Sequence, residues 1–292
     1  PSPIFDSQFA ASIVGMGPAL GYAKLVEIML DVVVDKGESR TDWLARPLRD
    51  EQCDYAAKDV LYLFQLYPEL KSRVEEQHKL PWVYAEIAHL SAKKQTPIPL
   101  DSVYLTIKNN WKLSNKAVLR LKKLAAWRTA TARQRDMALN VVVREENLVS
   151  IAMLQPSNKN ELRTIQGVNP HEVRIHGDAL LAIVADCQKA SEEAYPSKVK
   201  RLNDVEEYKN TAASVKKLCL SIAEKYAIPP ELVGSKKQIN QLLKWCWFTQ
   251  DETRDMGLQP DLLSSWRRAF FVKELINIKA LNLSDELLEG NT

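Results

Sequence analysis

Tyr55 and Asp59 stand four residues apart in a stretch with helical apolar spacing, Ala56, Val60, Leu63, Phe64, Tyr67, Leu70 and Val74. On a helix such a pair projects from one face, about 6 Å apart. A carboxylate beside a phenol can hold a divalent cation and orient a water, the chemistry of a metal-assisted hydrolysis. By itself the pattern more often describes a half-buried helix face, so its surroundings decide. Upstream, Pro47 interrupts regular structure, because it lacks an N–H and its ring fixes φ. Asp50 is the candidate N-cap, its carboxylate accepting the unpaired amides of the first turn.

A second kind of chemistry lies in residues 102–135, which contain no Asp or Glu. The candidate phosphate-binding set here is Lys116, Arg120, Lys123, Arg128, Arg133 and Arg135. Val118, Leu121, Leu124, Ala125 and Ala132 define one helix face, which turns Lys116, Arg120, Lys123 and Arg133 away from the core. Such a face attracts phosphates and gives salt-sensitive binding through counterion release. The competing reading is a solvated helix balanced by Glu145, Glu146, Glu161 and Glu172. Trp245, Trp247 and Trp266 could stack on unpaired bases, although tryptophans at helical spacing are more often core. His78, His89, His171 and His176 have no acid or thiolate at metal-ligand spacing, which favours structural roles.

These groups sit in a chain of 292 residues, about two domains' worth, with 46% apolar residues to build cores. Forty basic against 37 acidic residues give no bulk case for nucleic-acid binding, so that case rests on local clustering. Cys53, Cys187, Cys219 and Cys246 are scattered without C-x-x-C pairing, as reduced thiols of a cytoplasmic protein would be. No apolar run approaches the roughly 20 residues that cross a bilayer, and no membrane partner is expected.

The elements that must position the chemistry are mostly helical. Ser7 to Val14 and Tyr22 to Leu30 predict two helices, 31–36 an extended or loop stretch, and Asp50 to about Gln77 the long helix bearing Tyr55 and Asp59. A helix from about Pro81 to Leu90 comes next, and 91–110, with Pro97 and Pro99, reads as an extended linker. Asn158 and Gly167 bound a short helix, and Asn169-Pro170 starts another, Asn as N-cap and Pro in the first turn. An apolar pattern recurs at an offset of 91 residues, pairing Val142 with Val233, Leu148 with Ile239 and Ala152 with Leu243. In the second copy helices are expected over about 204–227, 229–250 and 260–280.

The run Ser39-Arg40-Thr41-Asp42-Trp43-Leu44-Ala45-Arg46-Pro47-Leu48, continued by Tyr55-Ala56-Ala57-Lys58-Asp59-Val60, closely resembles the last exonuclease motif of the ribonuclease D family, DEDDy-type 3′-to-5′ exoribonucleases. The opening Pro1 to Gln8 also looks like the segment after that family's middle motif. Trp127-Arg128, Arg133, Arg135-Asp136, Asn140, Gly167 and His176-Gly177 are similar to an HRDC domain, a helical nucleic-acid-binding module, and the 91-residue repeat implies a second copy.

The resemblance implies a mainly α chain: the C-terminal remnant of an α/β, ribonuclease H-like exonuclease domain over 1–77, then two all-α HRDC bundles. The implied boundaries are a connecting helix and linker over 78–111, HRDC copies over 112–190 and 204–282, a linker over 191–203 and a tail over 283–292. It further implies Asp59 as one of four acidic ligands of two Mg²⁺ or Mn²⁺ ions and Tyr55 as the residue positioning the attacking water. The other three acids would lie before residue 1. The helix faces of 1–77 would then pack on a sheet lying mostly there. One carboxylate cannot fix two hydrated cations, so the expectation is that these 292 residues alone retain neither metal nor activity. The implied partners are tRNA precursors and other structured RNAs with 3′ extensions, trimmed to 5′-mononucleotides by a monomeric enzyme. Two alternatives stay open: a non-catalytic HRDC nucleic-acid-binding module, and a DNA-directed DEDDy exonuclease.

Overall fold

The computed structural model describes residues 2–18 and 20–283; the expected tail beyond 283 lies outside the described residues. Among these the chain is helical, with no strand. Helices α1 (Ser7–Ile13), α2 (Tyr22–Leu30), α3 (Asp50–Glu76) and α4 (Leu80–Gln95) come first. A first bundle contains α5 (Asn115–Gln134), α6 (Leu139–Val142), α7 (Glu145–Leu154), α8 (Lys159–Thr164) and α9 (Pro170–Gln188). A second contains α10 (Tyr208–Lys225), α11 (Pro230–Val233), α12 (Lys236–Trp247), α13 (Glu252–Asp255) and α14 (Arg268–Leu275).

Local chemistry sets most ends. Asp6 caps α1, accepting from the Phe9 amide at 2.7 Å. Asn158 and Asn169 cap α8 and α9 as their sequence positions predict, and Pro170 occupies the first turn. At α3 the expectation is off by one residue: Arg49 is the N-cap, Asp50 begins the helix, and the Gln52 side chain accepts the Arg49 amide at 3.1 Å. In the second bundle, 229–250 is broken at Gly234-Ser235 rather than continuous. Ser235 caps α12 there, with Gln238 closing a capping box.

Two apolar cores are built, and their membership is not collinear with the chain. One holds Tyr104, Leu105, Ile107 and Leu113 together with α5 to α9. This corrects the reading of 91–110 as an extended linker. The α4 helix runs on to Gln95, and Leu100–Thr106 forms a 3₁₀ helix whose aromatic and aliphatic side chains close the first bundle. Asn110 fixes that turn, donating to the Tyr104 and Leu105 carbonyls at 3.1 and 3.0 Å.

The other core is shared by α1 to α4 and the second bundle. Trp82 of α4 stacks on Trp266, ring centroids 5.5 Å apart at 20°. Glu86, on the same face of α4, accepts from Arg267 at 2.5 and 3.1 Å and from the Trp266 indole at 2.7 Å. Both charges of that pair are buried. Lys79 is buried as well, donating to the Ile13 carbonyl at 2.9 Å and the Ala227 carbonyl at 2.8 Å. Burial pushes its ammonium pKa down, and the two carbonyls are what it gains in exchange for water. The second bundle is therefore joined to the first four helices through apolar, ionic and hydrogen-bonded contacts at once.

Candidate active site and nucleic-acid interface

Tyr55 and Asp59 lie on the N-terminal half of α3, both half-buried. The helix is anchored by its C-terminal half, where Leu66, Leu70 and Val74 are fully packed. Its N-terminal half projects beyond that core: Val60 is 69% and Phe64 77% exposed, although both belong to the apolar stripe predicted from sequence. Asp54, Lys58, Val60, Leu61 and Phe64 line an open, mostly apolar hollow on this side.

Several contacts position the site. The Tyr22 hydroxyl of α2 donates to the Asp59 carbonyl at 3.0 Å, tying α2 to α3 beside the carboxylate. Burial, then the Asp59 charge, pushes the Tyr22 phenol up to about 12, so it remains a donor at any physiological pH. Gln52, almost wholly buried, donates to Thr41 Oγ1 at 3.0 Å and to the Asp42 carbonyl at 3.1 Å, pinning the 37–46 loop on the start of α3. An Arg49–Glu38 ion pair closes the same loop. Trp43, held by its indole donating to the Glu38 carbonyl at 3.0 Å, lies against Tyr55 with ring centroids 6.0 Å apart. Tyr22 and Gln52 escaped the sequence reading, because neither a tyrosine 37 residues away nor an ordinary helix glutamine signals a partner.

The cavity at this point, about 310 Å³, is lined by Asp35, Glu38, Glu51 and Asp54 as well as Tyr55 and Asp59. Asp59 lines this cavity, and its Oδ1 is buried with no hydrogen bond of ordinary geometry, the Tyr22 hydroxyl being the polar group that acts on the carboxylate. An orphaned carboxylate oxygen is an acceptor in wait of a cation or donor, since leaving one unmet costs free energy. It fits one coordination position. Among the described residues, however, no three His, Cys, Asp or Glu side chains come together to hold an ion. The residues present do not fit a pair of cations on their own.

The predicted phosphate-binding set divides in two. Arg120 and Arg128 are corrected: both are buried in the first bundle. Arg120 Nε donates to the Ala152 carbonyl at 2.6 Å and Arg128 Nη1 to the Val143 carbonyl at 3.3 Å. Guanidinium groups used to satisfy inner carbonyls cannot reach a phosphate. Lys123, Arg133 and Arg135 are exposed and Lys116 half-exposed along α5 and its end. His176, buried against Trp127 with centroids 5.4 Å apart, has its pKa lowered by burial and by Arg135. That is a core histidine, and exposed His171 meets Arg174 instead. Of the three tryptophans, Trp245 and Trp266 are buried, while Trp247 is half-exposed.

Comparison with known proteins places this geometry. A "3′-5′ exonuclease" family profile matches residues 1–75, an "HRDC domain" profile residues 119–184, and a "Ribonuclease D, C-terminal HRDC domain" profile residues 206–275. Ribonuclease D of Shewanella sp. (strain ANA-3) is 40% identical over 278 residues, 95% of this chain and 70% of that protein. The chain belongs to the ribonuclease D family. Ribonuclease D of Escherichia coli (strain K12) is 37% identical over 95% of this chain and 73% of its own length. The crystal structure of Escherichia coli RNase D, described as an exoribonuclease involved in structured RNA processing, has a TM-score of 0.87 at 36% identity. It covers 96% of this chain and 73% of that one. Within the ribonuclease D frame, Tyr55, Asp59 and the cavity beside them fall in the exonuclease match, and the exposed basic side chains of α5 in the first HRDC match. Exonucleases of this kind generally depend on divalent metals.

Proposed function

We propose that this chain carries the C-terminal part of the catalytic domain and both RNA-gripping bundles of a ribonuclease D that trims RNA 3′ ends to 5′-mononucleotides, tRNA precursors foremost. The observation that carries the reading is Asp59, one helical turn from Tyr55, with a buried Oδ1 that accepts no ordinary hydrogen bond, on a cavity lined also by Asp35, Glu38, Glu51, Asp54 and Lys58. In this reading Asp59 supplies one ligand to a divalent cation, Mg²⁺ or Mn²⁺, which would polarise phosphate and water when bound. Tyr55, steadied by Trp43, orients the attacking water through its hydroxyl, and Tyr22 fixes the backbone of Asp59. The Lys116, Lys123, Arg133 and Arg135 side chains hold the phosphates of the RNA body. A cytoplasmic monomer is part of the proposal. Independently of it, among the described residues no helix is long and apolar enough to cross a membrane.

Because the described residues gather no complete ligand group, these 292 residues on their own bind RNA without cutting it. The test is a gel-shift titration on 3′-extended tRNA at two salt concentrations, alongside a trimming assay with Mg²⁺ and with Mn²⁺. Binding that weakens steeply with salt, without nucleotide release, is the expected result. Clear turnover by the 292-residue chain refutes the incomplete-site reading. Preference for single-stranded DNA over RNA of equal length moves the assignment to a DNA-directed exonuclease.

A further inference from the structure

Where the two cores meet, a cleft of about 180 Å³ lies between the segment joining the bundles and the C-terminal end of α12. Its walls include Lys198 and Lys200 from the connecting segment and Lys244, Trp247 and Phe248 from the second bundle. Val199 packs on the first core and Trp247 and Phe248 on the other, so both bundles contribute. The Gln250 amide donates to the Ser197 carbonyl at 3.4 Å, tying the segment across the cleft. Trp247 is fixed by its indole donating to the Ala280 carbonyl at 2.8 Å, and the Phe248 ring beside it is half-buried. Glu252 is the acidic group on the wall, and it is paired with Lys244 at 3.5 Å. Next to the cleft Arg201 stacks on Trp111 at 3.9 Å, its guanidinium already paired with Asp204, a second acid close enough to act on Lys198.

Three ammonium groups around a half-exposed aromatic wall, opposed by Glu252 on the wall and Asp204 beside it, match one chemistry well. Ammonium groups neutralise successive phosphates, and an aromatic ring takes a base face without regard to sequence. The space is of the order of one base, with the sugar and phosphates left outside it. We propose that this cleft is a subsite for unpaired RNA, with backbone phosphates at Lys198 and Lys200 and one base against Phe248. The inference rests on the RNA-binding reading above and gives the second bundle, which lacks the long basic stripe of α5, its own contact with RNA. It also makes the connecting segment a second gripping element beside the α5 face. Glu252 then acts as a brake, because its pairing with Lys244 competes with phosphate.

The test is fluorescence-anisotropy titration of the 292-residue chain with a labelled oligouridylate of about 12 nucleotides, across salt concentrations. Lys198→Ala with Lys200→Ala should weaken binding at least tenfold at low salt and reduce the log–log salt slope by about 1.4, two phosphates at ~0.7 each. Phe248→Ala should weaken binding about fivefold or more with the slope unchanged, and Phe248→Trp should restore it. Glu252→Gln should tighten binding at least twofold, a gain that no loss of folding imitates. If the parent chain binds and all of these variants stay within twofold of it, the cleft assignment is overturned and the RNA-binding reading stands. If the parent itself shows no salt-dependent binding, both fall.

Discussion

Removing the Glu86 carboxylate tests how the second bundle is attached to the nuclease part. Glu86 and Arg267 have side chains 8% and 3% exposed, and the guanidinium meets both carboxylate oxygens while the Trp266 indole meets one. In Glu86→Ala the Arg267 charge keeps the Leu232 carbonyl as partner, at 3.0 Å from Nε and 2.8 Å from Nη2, but loses its counterion. The Trp266 N–H loses its acceptor too. Breaking a buried pair from one side costs about 3–5 kcal/mol, because an uncompensated charge stays in the core. Glu86→Gln keeps the shape and one carbonyl acceptor but also removes the counterion, and should cost about 2–4 kcal/mol. Glu86→Leu combined with Arg267→Met removes both charges and should recover most of the loss. Urea denaturation measures the size, and hydrogen exchange shows where it falls. Protection should drop across α1 to α4 and α10 to α14, which share one core, and hold in α5 to α9, which build the other. A cost below about 1 kcal/mol for Glu86→Ala, or equal loss of protection in α5 to α9, refutes the shared-core argument.

Other expectations rest on single contacts. For Asp261, burial alone would raise the carboxyl pKa, but hydrogen bonds from His89 at 3.3 Å and Lys93 at 2.6 Å outweigh it and hold it to about 2. A depressed folded pKa means that its stabilisation, about 2 kcal/mol, is fully present above the unfolded value near 4 and lost as pH falls through 2. Urea midpoints between pH 5 and 2 should fall less steeply in Asp261→Asn, and identical slopes would contradict this. Gly234→Ala would place a Cβ 2.5 Å from Cys219 Sγ and 3.2 Å from Leu262 Cδ2. The expected cost is about 1–3 kcal/mol of overpacking, partly relieved by Cys219→Ala and read as a lowered Tm. Arg133→Ala with Arg135→Ala should weaken RNA binding and flatten its salt dependence. Arg120→Met should lower stability and leave the salt slope alone, since that guanidinium serves the Ala152 carbonyl.

The sequence was most informative where the signal is local. Asn158 and Asn169-Pro170 mark helix starts through capping chemistry, and helices begin at those marks, whereas Gly167, expected to end the short helix, lies in the turn beyond its C-cap Ile165. Tyr55 and Asp59 were legible as a one-turn pair inside a specific motif, and the orphaned oxygen of Asp59 gives the pair a physical consequence. Long-range pairing was not legible. Glu86 and Arg267 are 181 positions apart, and apolar periodicity says that a face is buried without saying against what. Arg120 and Arg128 misled because a long side chain can reach an inner carbonyl from a position that charge alone assigns to the surface. Pro97 and Pro99 suggested an extended linker, whereas they lead directly into a short 3₁₀ turn whose side chains complete a core.

The central claim is that Asp59 is a metal-binding acid of a ribonuclease D active site. The most direct measurement replaces the matching region of the Shewanella relative with this chain and monitors release of 5′-mononucleotides from a 3′-extended RNA, with Asp59 or with Asn in its place. The account predicts Mg²⁺- or Mn²⁺-dependent trimming by the Asp59 chimera and a rate at least ~10²-fold lower for Asp59→Asn, at unchanged RNA affinity. Equal rates for the two chimeras would contradict it.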